Sequence, residues 1–360
     1  MDKVLILTDR MDAHARAVAE CLARKGAMPI RWIPEEFIFR QKGNQRIQSN
    51  GKHSILIEDE NQNILDLVET DVVWYRRVGF PVIPPTIDPQ DYQFISAENQ
   101  LYMKSLWLTL GESAKWVNPF SSFDKSNSKV LQLREAARIG LKIPESLITN
   151  DKKAIINFIQ ENSPQKTIYK TFSPAMWEEN NTIISNYTTA ISHDILPDEA
   201  TIALTPGIYQ KEVKKKHEVR ITFFGDEYVA VKIHNAEELD WRICDKNKLS
   251  SIPVPDDIVN KCKLLMEKLG IVFGCFDFIV TPQEEYYFLE VNEMGQFLWI
   301  EKTLPELHLL DKFCDFLLSR EGQQKNSVKK KDSIKLNEIA SSQGFQQMTR
   351  EDLVKQKILI

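Results

Sequence analysis

Several things are missing from this sequence, and each absence closes off a class of protein. Its five cysteines, Cys21, Cys244, Cys262, Cys275 and Cys314, include no CxxC pair. Their spacing therefore encodes neither a disulfide framework nor a zinc site, and they read as reduced thiols of a cytoplasmic protein. There is no surplus of positive charge: 46 Lys and Arg against 51 Asp and Glu give a net charge of −5. That argues against a general nucleic-acid binder, which needs a basic footprint. No stretch approaches the ~18 apolar residues of a membrane span. The opening MDKVLILTDR returns to charge too soon for a signal peptide and reads as a first buried strand. No internal repeat is found. Beyond Glu321 the only aromatic residue is Phe345, and Gln, Ser and Lys prevail, with the run Lys329-Lys330-Lys331. This stretch reads as a polar linker ending in a weak helix near 351–360, where Leu353, Val354, Ile358 and Leu359 form one apolar stripe in need of a surface.

What is present is an ordinary soluble composition, 42% hydrophobic and 27% charged over 360 residues, long enough for two or three lobes. The apolar run at 3–8 and the helical spacing of Ala13, Ala17, Val18, Cys21 and Leu22 predict a strand and a helix that open an α/β lobe. Strands are predicted at 54–58 and 72–75 and a helix at 98–110, with the lobe closing near residue 120. The next segments are helices at 129–138, carrying Val130, Leu133, Ala136 and Ala137 on one face, and at 152–160. Strands are expected at 167–171, 182–187 and 202–204. From residue 208 the pattern is mostly strand: 208–213, 218–224 and 227–233 with a Gly225-Asp226 turn, then a helix at 256–269 and a hairpin of 274–280 with 286–292.

The hairpin carries the sharpest chemical signal. Strand alternation puts Glu290 and Asn292 on one face and sends Leu289 and Val291 to the core, while Asp277 stands between Phe276 and Phe278. If the strands pair, three oxygen donors converge, a set that suits magnesium; the alternative is a row of solvated acids. Lys129 on a helix and Lys170 within an apolar strand are either surface residues or phosphate ligands. Gln210-Lys211-Glu212-Val213 follows a strand and can approach an adenine through main-chain groups. Beyond it lie Glu218, Arg220 and Arg242; Arg220 alternates with apolar neighbours, as a cross-strand ion pair or as a clamp for phosphoryl oxygens. Arg76 and Arg77 follow a buried strand at the lobe edge, where α/β lobes place ligands.

In this order and spacing the pieces resemble the ATP-grasp superfamily over residues 1 to about 320. More narrowly, the chain is similar to the ATP-grasp maturases that make microviridin-type graspetides. The match rests on Trp74-Tyr75-Arg76-Arg77, on Asp240-Trp241-Arg242, and above all on the run from Glu290 through Asn292, Glu293, Met294, Gly295 and Gln296 to Glu301. The resemblance implies an α/β fold: an N-terminal pre-ATP-grasp domain over 1–120, a central subdomain over 121–206, a C-terminal antiparallel subdomain over 207–320 that holds the metal, and the tail 321–360. It implies ATP and Mg2+ as cofactors. Lys129 and Lys170 would hold phosphates, the backbone of Glu212 and Val213 adenine, and Glu218 the ribose. Asp277, Glu290 and Asn292 would bind the metal, Arg220 and Arg242 would be catalytic, and Arg76 and Arg77 would bind substrate. The chain departs from many members in having no glycine between Gly140 and Gly207, so 172–182 would cover the phosphates without a Gly-rich loop.

The implied reaction phosphorylates Asp or Glu side chains of a precursor peptide, recognised through leader and core. The acylphosphates are then closed onto Ser, Thr or Lys as esters or amides. A homodimer is left open, and neither nucleic acid nor membrane is expected as a partner. Two other readings stand beside it: a ligase of small amino acids, and a nucleotide-binding regulator without catalysis. The complete Asp277, Glu290 and Asn292 set speaks against the regulator.

Overall fold

A computed structural model describes residues 1–173, 188–234, 239, 248–319 and 333–356, with the backbone of two short strands at 176–179 and 182–185. The first unit is a parallel sheet of β1 (Lys3–Leu7), β2 (Met28–Trp32), β6 (Val72–Tyr75) and β7 (Lys115–Val117), in the order β2-β1-β6-β7. Val4 to Leu7 are fully buried, as parallel strands covered on both faces require. Between β1 and β2 runs α1 (Ala13–Arg24), whose N-terminus is capped by Asp12 accepting from the amides of His14 and Ala15. Between β2 and β6 come α2 (Phe37–Arg40) and a separate antiparallel sheet of β3 (Lys42–Ile47), β4 (His53–Glu58) and β5 (Ile64–Asp66). Of that sheet only the apolar middle strand stands out in the sequence. The helix α3 (Tyr92–Thr109) begins at Tyr92, a turn and a half before the expected Glu98.

After a short α4 (Phe123–Ser126), α5 (Lys129–Arg138) has the predicted bounds, with Ser128 as its cap. Its buried face is Gln132, Leu133 and Ala136; Val130 and Ala137, expected on that face, are exposed. The polar Gln132 faces inward because its amide completes the edge of a strand, as described below. The central sheet has the order β12-β9-β13-β8, from β8 (Ser146–Thr149), β9 (Thr167–Lys170), β12 (Thr189–Ile191) and β13 (Gly207–Lys211). It is covered by α6 (Lys152–Asn162), while β10 (Met176–Glu179) and β11 (Thr182–Ser185) form a separate hairpin. The strand expected at 202–204 is instead the end of a helix, α7 (Glu199–Ala203). Asp198 caps it by accepting from the amide and hydroxyl of Thr201, which settles the backbone as helical. β13 belongs to this central sheet, although the boundary expected at residue 207 assigned it to the next unit.

The third unit is an antiparallel sheet in the order β16-β15-β14-β17-β18. Its strands are β14 (His217–Phe224), β15 (Glu227–His234), β16 (Lys248–Ser251), β17 (Phe273–Val280) and β18 (Tyr286–Asn292), with α8 (Asp256–Leu269) ahead of β17. Gly225, at φ 61, makes the turn between β14 and β15. One face packs on α5 and α8 through Leu133, Leu265, Leu269, Phe276, Phe278 and Phe288. The end of the sheet joins the first unit through Phe224, Phe273, Phe297 and Phe313, helped by α9 (Leu298–Thr303) and α10 (Leu309–Leu318). The tail holds α11 (Leu336–Ala340) and α12 (Gln343–Gln356). The helix starts well before the expected 351, and Leu353 and Val354 are exposed. Ile334, Leu336, Ile339, Phe345 and Met348 are the tail's apolar residues that pack on the core, and Ile358 and Leu359 lie outside the described residues. Cys21, Cys262, Cys275 and Cys314 are buried and free. Among the described residues no helix is long and apolar enough to cross a membrane.

Candidate nucleotide and metal site

On β14 the side chains alternate, so Glu218, Arg220 and Thr222 share the face opposite the α5–α8 core. Arg220 pairs in register with Asp277 of β17, and Asp277 with Glu290 of β18. The expected convergence follows directly from this register. Arg220 Nη1 donates to both oxygens of Asp277 at 2.8 Å, and its Nη2 donates to the carbonyl of Gln296 at 3.3 Å. Asn292 Nδ2 donates to Asp277 Oδ2 at 3.0 Å. Burial works most strongly against the charge of Arg220, but Asp277, Cys275 and Glu290 together outweigh it and hold the guanidinium above its ordinary pKa.

A bulge between Asp277 and Phe278 breaks the alternation of β18, where Asp277 faces Glu290 but Phe278 already faces Phe288. Phe288 and Val291 therefore fill the core, while Leu289, expected there, is only half buried beside Glu290. The backbone of β18 is completed by Gln132, whose amide accepts from Val291 N and donates to Val291 O, both at 2.9 Å. The first residue of α5, Lys129, is thereby placed with its Nζ 3.3 Å from Glu290 Oε2 and 3.3 Å from the carbonyl of Thr171. Asp277, Glu290 and Asn292 thus offer two carboxylates and an amide oxygen on one sheet face, a hard-oxygen set that fits magnesium. No cluster of three His, Cys, Asp or Glu side chains suited to a metal occurs among the described residues, and this set contains only two such groups.

The other expected residues are distributed as follows. Lys170 ends β9 opposite Ile208. Glu212 and Val213 follow β13, and the Glu212 amide donates to Lys166 O at 2.8 Å. Glu218 is buried and takes a 2.6 Å bond from Lys215 Nζ. Arg77 is exposed, at φ 46. Its neighbour Arg76 is buried and committed inside the protein: Nε donates to Asp12 Oδ2 at 2.8 Å, and Nη1 donates to the carbonyls of Met294 and Gly295. Arg242 lies outside the described residues, as do Asp240 and Trp241.

Three residues that hold the site together were not singled out from the sequence. Asp12 caps α1 and anchors Arg76. His14, in the first turn of α1, accepts the Leu298 amide on Nε2 at 3.2 Å and stacks edge-on against Phe297. Burial, reinforced by Arg76, pushes its pKa down to about 3, so the imidazole is neutral. Asn118 donates to Phe273 O and Glu293 O and accepts from the amides of Val272 and Phe273, joining the end of β7 to β17. Asp12 had a legible signal as an N-cap ahead of a helical run. The partners of His14 and Asn118 are distant in sequence and leave no local trace.

The fold is the ATP-grasp fold, shared over most of the chain with solved ATP-grasp ligases. Within it, residues 3–124 match the MvdD pre-ATP grasp domain. A Chryseobacterium gregarium RiPP-associated ATP-grasp ligase, solved with ADP and a leader and core peptide, is similar at 27% identity and a TM-score of 0.78, covering 88% of this chain and 96% of that one. The macrocyclase MdnB of Microcystis aeruginosa MRC is similar at 26% identity and 0.76, covering 89% and 100%. The macrocyclase MdnC of the same strain, bound with precursor peptide MdnA, shares the fold at 24% identity and 0.78, covering 89% and 99%. No curated protein matches the chain.

Proposed function

We propose that the chain is an ATP-dependent ligase that cross-links a ribosomally made precursor peptide, a graspetide synthetase. The observation that carries this reading is the Arg220–Asp277–Glu290–Asn292 cluster, borne by a chain similar over nearly its whole length to a ligase solved with ADP, leader and core.

A carboxylate is a poor electrophile until its oxygen is made a good leaving group. An Asp or Glu oxygen of the peptide attacks the γ-phosphorus, the bond to the β–γ bridging oxygen breaks, and ADP departs. A Ser or Thr hydroxyl or a Lys amine then attacks the acyl carbon, loses its proton, and releases phosphate. Asp277, Glu290 and Asn292 would hold magnesium, which would supply charge neutralisation for the phosphates. The chain's own groups do the positioning. Lys129 and Lys170 hold phosphate oxygens, Glu212 and Val213 meet adenine through their backbone, and Glu218 takes the ribose hydroxyls. Arg220 and Arg242 meet the charge that develops on the transferring group. Of the arginine pair, exposed Arg77 faces the substrate carboxylate, and Arg76 holds the scaffold behind it.

The test is mass spectrometry of Thr- and Glu-rich peptides encoded beside the gene, incubated with the protein, ATP and magnesium. Each ring removes about one water, ~18 Da, by the condensation above. Peptides that keep their full mass while the protein binds ATP would exclude the reading.

A further inference from the structure

The tail helix α12 buries a carboxylate, a placement that hiding apolar surface does not require. Asp352 is 2% exposed, and its oxygens meet three arginines, from the β1–α1 loop, α1 and β2. Arg10 Nη1 lies at 3.1 Å, Arg16 Nη1 of α1 at 2.9 Å and Arg31 Nη2 of β2 at 2.8 Å. Two of these arginines also hold the backbone that joins β1 to α1. The Arg10 carbonyl accepts from Arg16 at 3.1 Å and from Arg31 at 3.3 Å, and the Met11 carbonyl accepts from Arg16 at 3.4 Å. Such converging guanidiniums stay together in a partly dry place only if a carboxylate balances them. Glu36 supplies one to Arg10, and the tail supplies the other. Arg40 Nη2 further grips the Lys355 carbonyl at 2.8 Å, so α12 is held at two points.

The loop that these arginines hold leads straight to the site. Its last residue is Asp12, which carries Arg76 and through it the carbonyls of Met294 and Gly295. Two residues on, His14 takes the Leu298 amide. Between these contacts lies Gln296, whose carbonyl receives Arg220, the partner of Asp277.

We infer that Asp352 is a positioning residue: α12 is a clasp that fixes the loop of residues 8–12, and Asp12 and His14 relay that fixation to residues 294–298 beside Arg220. The effect on turnover rests on the ligase reading above; the structural relay does not.

The experiment compares full-length wild type with Asp352→Asn and Asp352→Glu by hydrogen exchange of the free protein, then by peptide-dependent ADP formation. In Asp352→Asn, amides at 9–16 and 294–298 exchange at least tenfold faster, while strand Gly207–Lys211 of the central sheet is unchanged. Its kcat falls tenfold or more with the KM for ATP within twofold, and Asp352→Glu recovers most of both. Unchanged exchange at 294–298 overturns the relay, and so does acceleration that extends to Gly207–Lys211, which marks a general loss of stability. If Asp352→Asn is not recovered folded, Arg31→Met, which removes one donor to the Arg10 carbonyl, is read by the same criteria. Relayed exchange with no turnover on any peptide, wild type included, contradicts the ligase reading and leaves the clasp standing.

Discussion

Arg220 Nη1 lies 2.8 Å from both carboxylate oxygens of Asp277, so the central member of the candidate metal set already carries a guanidinium. The pair is neutral in sum, and Asn292 donates to it from the side. An arginine in this position is either a strut for Asp277 or a group that also meets the phosphoryl oxygens, and the two roles separate under mutation. Arg220→Met should lower kcat for peptide-dependent ADP formation by about a hundredfold or more, the usual cost of a lost donor to transition-state charge. ADP affinity, measured by calorimetry, should fall much less. A variant that keeps a third of wild-type turnover would reduce Arg220 to a strut.

Glu290→Ala and Asn292→Ala should each abolish ligation at ordinary magnesium while leaving the folded state in place. Both side chains are only half buried, so their loss opens no core cavity. Circular dichroism and thermal melting check the fold, and raising magnesium should recover part of the activity. Near-normal turnover without added magnesium would remove the residue from the metal site.

Arg76 and Arg77 should behave as opposites. Arg76→Met leaves the buried Asp12 carboxylate without its guanidinium partner and should destabilise the protein by about 3–5 kcal/mol, read from denaturant unfolding. Arg77→Ala, at an exposed position, should change stability by no more than about 0.5 kcal/mol and raise KM for peptide severalfold. Equal and small effects on stability from both would mean that the Arg76 tie contributes nothing.

His14 makes the protein acid-sensitive in a defined window. Its folded pKa of about 3 lies below the ordinary 6.5, so its contribution to stability is whole above pH 6.5 and is lost as pH falls towards 3. Between pH 6.5 and 5 the loss is about 1.6 kcal/mol by linkage. A His14→Asn variant should lack that part of the slope when unfolding is followed across this range. An unaltered slope would place the acid sensitivity elsewhere.

The sequence shows local patterns well and long-range ties badly. The bounds of α5 and α8, the β14–β15 turn and the β17–β18 hairpin are all legible, because capping residues, glycine and alternation act over a few residues. The convergence of Asp277, Glu290 and Arg220 follows once strand pairing is assumed. The bulge at Leu289 does not, since it answers to packing against the helices behind the sheet. Asp352 lies beyond reach for the same reason: an acid next to Glu351 in a polar tail looks solvated until three arginines from residues 10 to 31 are found around it. The sequence draws attention to Leu353 and Val354 instead, and both face solvent.

The central claim is that a peptide side-chain carboxylate becomes an acylphosphate, and the fate of its oxygen tests this most directly. A precursor peptide with heavy-oxygen-labelled Asp and Glu carboxylates is incubated with the protein, ATP and magnesium, and the released phosphate is weighed. The account predicts ADP and phosphate carrying one heavy oxygen for each ring closed, with nothing released by Glu290→Ala. Unlabelled phosphate, or AMP with pyrophosphate in place of ADP, would contradict it.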